Sequence, residues 1–262
     1  MLSKRLISAG VLIPIVGLCL YFGGPAFFVL VSLAALLATH EYLRLMRTLS
    51  YTPSYVLGLA SVAFFLVDAQ WPQWGLLPFG LALLPIVSLS YEVFAGNVPN
   101  ALQRWALTLA GALYLGYLPG LFIRLRALDN GINWLIVALL GTWLCDSAAY
   151  FVGRAWGKHK FAPNISPKKT WEGAIAGFVV GILAVVLLAT WLLDLSLGWS
   201  LLAGALLVFG ATVGDLAESV IKRQVGVKDS SNLIPGHGGA LDRIDSLLFV
   251  VPLMYLMAAL GV

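Results

Sequence analysis

Nine apolar runs occupy most of this 262-residue chain and limit its fold more than any other feature. They lie at about 6–22, 26–43, 54–67, 74–90, 105–123, 133–152, 173–193, 198–215 and 246–261. A hydrocarbon core roughly 30 Å thick needs about 20 mostly apolar helical residues to cross it. Within lipid the backbone must also satisfy its own hydrogen bonds, which favours helices. The runs therefore predict an all-α polytopic membrane protein with about nine transmembrane helices. Composition agrees: 60% of residues are hydrophobic and 11% charged, against roughly 45–50% and 25% in soluble domains. The third run is short enough to be re-entrant. The first follows Lys4-Arg5, but its apolar stretch is long and no Ala-x-Ala site follows, so an uncleaved span is expected. No internal repeat is visible. Cys19 and Cys145 sit inside apolar runs and form neither a disulfide framework nor a CxxC metal site.

Positive charge orients this bundle. With the N-terminus inside, fourteen of the 16 Lys and Arg fall on one face; only Arg124 and Arg126 lie elsewhere. Cytoplasmic loops favour Lys and Arg, so the expected topology is N-terminus cytoplasmic and C-terminus outside. The net charge of +4 suits anionic head groups or phosphates, though topology signals alone would also produce it.

Charge is concentrated in two of these loops. Residues 215–245 hold nine of the 28 charged residues. Asp215 stands at the edge of the eighth run, where a carboxylate is costly and usually faces a wet cavity or a partner. Glu218 follows three residues later on the same helix face, and four residues before Lys222, with which it can simply pair. Then comes "GHGGALDRID", residues 236–245. Its glycines permit unusual backbone conformations, and a helix starting near Ala240 would offer free N–H groups to a phosphate. Asp242 and Asp245, three apart, would share one face of that first turn. Two carboxylates beside a phosphate need a cation between them, and hard oxygen ligands suit Mg²⁺. Helix capping is the simpler use of one Asp. His237 is either a phosphate contact or a turn residue.

The other loop, residues 153–173, carries Arg154, Lys158, His159, Lys160, Lys168 and Lys169. It lacks P-loop spacing. A polyphosphate site is the reading favoured over a topology signal touching anionic lipid, because the Ser-Pro-Lys-Lys-Thr-Trp turn is more than topology requires. Thr170 is placed to cap the seventh span, with Glu172 in its first turn, and Trp171 suits an interfacial belt. Asp146, inside the sixth run beside Ser147, is a functional candidate by its position, with a structural hydrogen bond as the alternative.

These stretches resemble the phosphatidate cytidylyltransferases, also called CDP-diglyceride synthases. The signature elements occur in order: Ser219-x-Ile221-Lys222-Arg223, Lys228-Asp229, Pro235-x-His237-Gly238-Gly239 and Asp242-Arg243-x-Asp245. Ala240 departs from the larger aliphatic residue usual there. "SPKKTWEG" at 166–173 and "CDSAAYFVGRAWGKHK" at 145–160 also match, so the similarity is specific over about 145–245. Residues 1–130 resemble the family only as apolar helices. The resemblance implies CMP transfer from CTP to phosphatidate, a requirement for Mg²⁺ (or Mn²⁺), a monovalent cation such as K⁺ beside it, and a homodimer. No nucleic-acid partner is expected.

In-line transfer between phosphates is mainly positioning and charge neutralisation. A phosphatidate oxygen is already ionised near neutral pH, which agrees with the lack of a Ser-His or Cys-His pair. Asp215, Asp242 and Asp245 would hold the metal. Lys222, Arg223, Lys228, Arg243, Lys168 and Lys169 would bind phosphates, with His237, Gly238, Gly239 and Asp146 also at the substrate site. The expected organisation is one membrane-embedded domain over 1–262: helices of 1–130 for scaffold and lipid access, and 133–262 for catalytic helices and loops. The expected site is the cytoplasmic face of a bacterial inner membrane. Two rivals stand: a transporter of anionic substrates, which would place charges near the midplane with repeat symmetry, and a CTP-dependent polyprenol kinase.

Overall fold

In the computed structural model, which describes residues 2–234, 236 and 238–261 (side chains of residue 8 and from residue 10 onward), each of the nine apolar runs is helical. The elements are α1 (Leu2–Phe22), α2 (Gly24–Thr48), α3 (Tyr55–Gln70), α4 (Leu77–Ala95), α5 (Ala101–Ala112), α6 (Leu118–Ala127), α7 (Gly131–Trp156), α8 (Trp171–Leu192), α9 (Leu197–Gln224), α10 (Leu241–Ile244) and α11 (Leu247–Ala259). Among the described residues six helical stretches are long and apolar enough to cross a membrane: α2, α4, the continuous 101–127 helix, α7, α8 and α9. Gly10–Phe22 and α3 are shorter apolar helices. The chain is therefore an all-α membrane protein. The short third run is one continuous 16-residue helix, capped by the Ser54 hydroxyl, which accepts the Leu57 N–H.

One segment departs from the all-α pattern. Residues expected as an irregular turn pair as a small antiparallel sheet of β1 (Lys160–Ala162) and β2 (Ser166–Thr170). The hairpin feeds directly into α8, whose N-cap is Thr170: its hydroxyl accepts the Gly173 N–H, as the sequence predicts.

The chain divides into two compact units. One comprises residues 1–124 and 224–244, the other 125–223 and 245–262. The segment 224–244, expected with the C-terminal helices, thus groups with the N-terminal ones. In that first unit α2 is tied to α5 by the Tyr42 hydroxyl, which donates to the Leu107 carbonyl, and the Ser54 N–H donates to Thr108 Oγ1. Two ion pairs lie in the same unit, each 2.5 Å: the buried Arg104–Glu92 and the half-buried Arg124–Asp68. Arg104 also donates to the Asn97 and Pro99 carbonyls.

In the second unit, α8 meets α7 through a stripe of small residues, Gly173, Gly177 and Gly181, one per turn. A Cβ at these positions would stand 2.6 Å from the Ala149 carbonyl oxygen, 3.1 Å from the Cys145 carbonyl oxygen and 3.1 Å from the Cys145 Cβ respectively. The helices therefore approach closely, with only the small Ala149 and Cys145 side chains of α7 in the seam, the usual route to tight helix packing in lipid. On α9, Gly210 and Gly214 bring the helix equally close to residues 245–250.

Gly177→Leu should lose about 1–3 kcal/mol by overpacking, seen as a lower unfolding temperature in detergent. Gly198→Ala, with nothing within 4 Å of the new methyl, should leave the unfolding temperature unchanged or slightly raised.

Candidate active site

The charged residues singled out by the sequence form two clusters, one in each unit. In the 125–223/245–262 unit, β2 alternates its side chains: Lys168 is exposed while Lys169 turns inward. The Lys169 Nζ lies 2.9 Å from Asp215 Oδ2. Asp146, on α7, has Asp215 and Lys169 as its electrostatic neighbours. One lysine thus pairs with a carboxylate of α9 and places its charge near a second carboxylate on α7. The Ser219 hydroxyl, one turn beyond Asp215, approaches its Oδ1 at 3.4 Å. Arg223 is exposed, and its Nε donates to the Ile165 carbonyl at 3.1 Å, tethering the end of α9 to the hairpin turn. At the base of the hairpin the His159 Nδ1 pairs with Glu172 at 2.6 Å, and Phe161 packs edge-on against Trp171.

Glu218 is fully buried and ion-paired with Lys222 one turn on. This is the simpler of the two uses the i,i+4 spacing allowed. Lys222 is therefore directed into α9's own buried face, not displayed with Arg223.

The turn before the last helix also differs from expectation. Asp242 and Asp245 do not share a continuous helical turn, because α10 ends at Ile244 and α11 begins at Leu247. The Asp245 carboxylate accepts the Ser246 N–H, the kind of local side-chain bond that competes with helix propagation. Asp245 belongs to the same unit as Asp215, and its carbonyl oxygen would be 2.8 Å from a Cβ on Gly214. Two of the three expected metal carboxylates are thus on segments in contact.

Asp242 belongs to the other unit, where it organises the glycine loop. Its Oδ2 accepts from the Ser230 N–H (2.9 Å), the Ser230 hydroxyl (2.7 Å) and the Gly239 N–H (2.8 Å). Glu41 of α2, 3% exposed, reaches the same loop. Its carboxylate accepts from the Ser230 hydroxyl (2.9 Å), the Ser231 hydroxyl (2.6 Å), the Ala240 N–H (3.0 Å) and the Leu241 N–H (2.9 Å). The N–H groups expected to be free for a phosphate are therefore given to carboxylates. The glycines follow from this. A Cβ on Gly239 would collide with Ser230 and Glu41, and one on Gly238, at φ +83°, would stand 2.6 Å from Asp242 Oδ2. Lys228 and Arg243 are exposed. His237 and Pro235 lie outside the described residues.

Glu41, Ser230 and Ser231 were not among the residues singled out above. Glu41 carried a legible signal, a carboxylate inside the second apolar run, the same criterion that marked Asp146.

Hard oxygen donors are what a divalent cation such as Mg²⁺ takes, typically one or two carboxylates with substrate phosphates and water completing its shell; Asp215 and Asp245 are carboxylates on contacting segments of one unit. Among the described residues no three Asp, Glu, His or Cys side chains converge on one point.

Comparison with known proteins extends the similarity to the whole chain, beyond the 145–245 core of the motifs. A cytidylyltransferase family model matches residues 3–260. A phosphatidate cytidylyltransferase of Bacillus subtilis (strain 168) is 37% identical over 264 residues, 98% of this chain and 98% of its own length. Proteins of the same name are 34% identical in Staphylococcus haemolyticus (91% of this chain, 92% of that protein) and 33% identical in Mycobacterium tuberculosis H37Rv (84% and 70%).

Arg223→Ala should release the hairpin turn, raising amide hydrogen exchange over 160–170 and leaving the α7–α8 core unchanged. Arg223→Lys should not restore protection, since the Nε donor is missing.

Proposed function

Since the chain belongs to the cytidylyltransferase family, we propose that it transfers CMP from CTP to phosphatidate, giving CDP-diacylglycerol and pyrophosphate for phospholipid synthesis. The observation that carries this reading is the 37% identity to a phosphatidate cytidylyltransferase across 98% of both chains. A phosphatidate oxygen bonds to the α-phosphorus of CTP as the bond from that phosphorus to the β-phosphate oxygen breaks. The lipid phosphate enters already ionised, so no protein base removes a proton.

The chain's own groups then orient phosphates and balance charge. Lys168, exposed on β2, and Arg223, Lys228 and Arg243, exposed around the signature segment, bind the triphosphate and the leaving pyrophosphate. Lys169 pairs with Asp215, fixing that carboxylate, and adds positive charge near Asp146. Asp215, Asp245 and Asp242 are the residues that would hold Mg²⁺, or Mn²⁺ in its place, with a monovalent ion such as K⁺ beside it. When bound, such an ion supplies Lewis-acid polarisation and charge neutralisation at the phosphates.

Nine spans with the N-terminus cytoplasmic fit the one-sided distribution of Lys and Arg. On that topology the site faces the cytoplasm of a bacterial inner membrane, where CTP meets the lipid. A shallow apolar groove of Leu140, Trp143, Leu144, Ala184 and Leu187, with Ser147 at its edge beside Asp146, offers an acyl chain a path from the bilayer. The homodimer belongs to the same reading.

Purified protein given labelled CTP, phosphatidate and Mg²⁺ should yield a lipid-linked CMP. Formation of polyprenyl phosphate from polyprenol, or substrate uptake into proteoliposomes with no nucleotidyl product, would overturn the reading. Asp242→Asn should abolish turnover in a protein that still folds; near-normal turnover would remove Asp242 from the metal site. Lys168→Ala should raise the CTP KM with little change in kcat; an unchanged KM would leave the hairpin lysine a topology signal.

A further inference from the structure

We propose that Glu41 is a positioning residue for this reaction: from α2 it holds the 230–242 loop, and Asp242 with it, in the geometry that CMP transfer requires. The proposal rests on the activity proposed above. Glu41 is almost completely buried, yet its four bonded partners among the described residues all come from a segment about 190–200 residues away in sequence. None belongs to α2 itself, so the carboxylate is not there to stabilise its own helix.

The contacts are also specific in chemistry. Both oxygens accept two hydrogen bonds, and two of the four donors are backbone N–H groups at the start of α10. Only an ionised carboxylate presents acceptors on both sides. Gln would turn an NH₂ toward one of those N–H groups and leave a buried donor unsatisfied.

Ser230 couples Glu41 to Asp242. Its single hydroxyl lies 2.9 Å from Glu41 Oε2 and 2.7 Å from Asp242 Oδ2, while its N–H donates to that same Asp242 oxygen. One hydroxyl proton serves two carboxylates, so the position of Glu41 governs how Asp242 is held. Gly239 has no side chain because Glu41 and Ser230 occupy the space a Cβ would need. The acidic residue on α2 and the glycine in the signature are two halves of one contact.

The test uses the full chain in detergent, with three readouts on each variant: amide exchange at 239–241, kcat and KM per folded molecule, and the Mg²⁺ concentration for half-maximal rate. Glu41→Gln should speed exchange at 239–241 while leaving α7–α8 unchanged. It should lower kcat at least about tenfold with the phosphatidate KM within about twofold, and raise the Mg²⁺ requirement. Because Glu41 acts through Ser230, the pair Glu41→Gln with Ser230→Ala should be no worse than Glu41→Gln alone within about twofold. A folded Glu41→Gln protein with wild-type kcat, or effects of the two changes that multiply, would overturn the proposal. If Glu41→Gln does not fold, Glu41→Asp, which keeps the charge but falls one methylene short, should show faster exchange with reduced kcat; wild-type kcat in that variant overturns it. A wild-type protein that transfers no CMP defeats the proposed activity instead, and the exchange data then still decide whether Glu41 secures the loop.

Discussion

A carboxylate taken out of water must find its hydrogen bonds and its countercharge inside the protein. In this chain that requirement fixes more of the polar architecture than any other. Asp68 meets Arg124, Glu92 meets Arg104 and Glu218 meets Lys222. Glu41 and Asp242 take a different course, gathering backbone N–H and serine hydroxyl donors. All but the Glu218–Lys222 pair, which lies within α9, join segments that apolar packing alone would let slide. Hydrogen bonds to a charged group contribute roughly 1.5–3 kcal/mol each, and leaving such a group unmatched costs more. Their main effect is therefore on which geometry is allowed.

The signature segment is divided by the architecture. Ser219 to Arg223 and Asp245 belong with α7, α8 and α9, whereas Lys228 to Arg243 belong with the N-terminal helices. A motif contiguous in sequence thus contributes to two compact units. The N-terminal helices are accordingly more than a lipid-facing scaffold, since α2 carries Glu41, which holds the loop of the signature.

Much of this was legible in the sequence, for identifiable reasons. The apolar runs located helical segments along the chain, six of them among the described residues long and apolar enough to cross a membrane, because lipid leaves the backbone little alternative. Thr170 as a cap and the continuation of α9 past Asp215 followed from local chemistry. The misreadings arose where a distant partner outweighed local signals. The N–H groups of Ala240 and Leu241 looked free because nothing near them in sequence could use them, and Glu41 lies some 200 positions away. The 160–170 segment read as a turn because Lys160, Ala162, Pro167, Lys168 and Lys169, most of its two short strands, are poor strand formers by propensity. The break at Asp245 was hidden because an Asp two residues before an apolar run also suits an unbroken helix. The glycine stripe of α8 was visible as a four-residue repeat, but hydropathy, which counts apolarity and not size, passed over it.

That stripe makes α7 and α8 a ruler for the site. With glycines set against Ala149 and Cys145 and no long side chain between, the two helices cannot shift along each other in small steps. A slip of one residue would move β2, and Lys169 with it, by about 1.5 Å along the axis, while Asp146 stayed with α7. The height of the lysine relative to that carboxylate is therefore graduated in glycines, which begin at Gly173, about one turn beyond Lys169, and run on along α8.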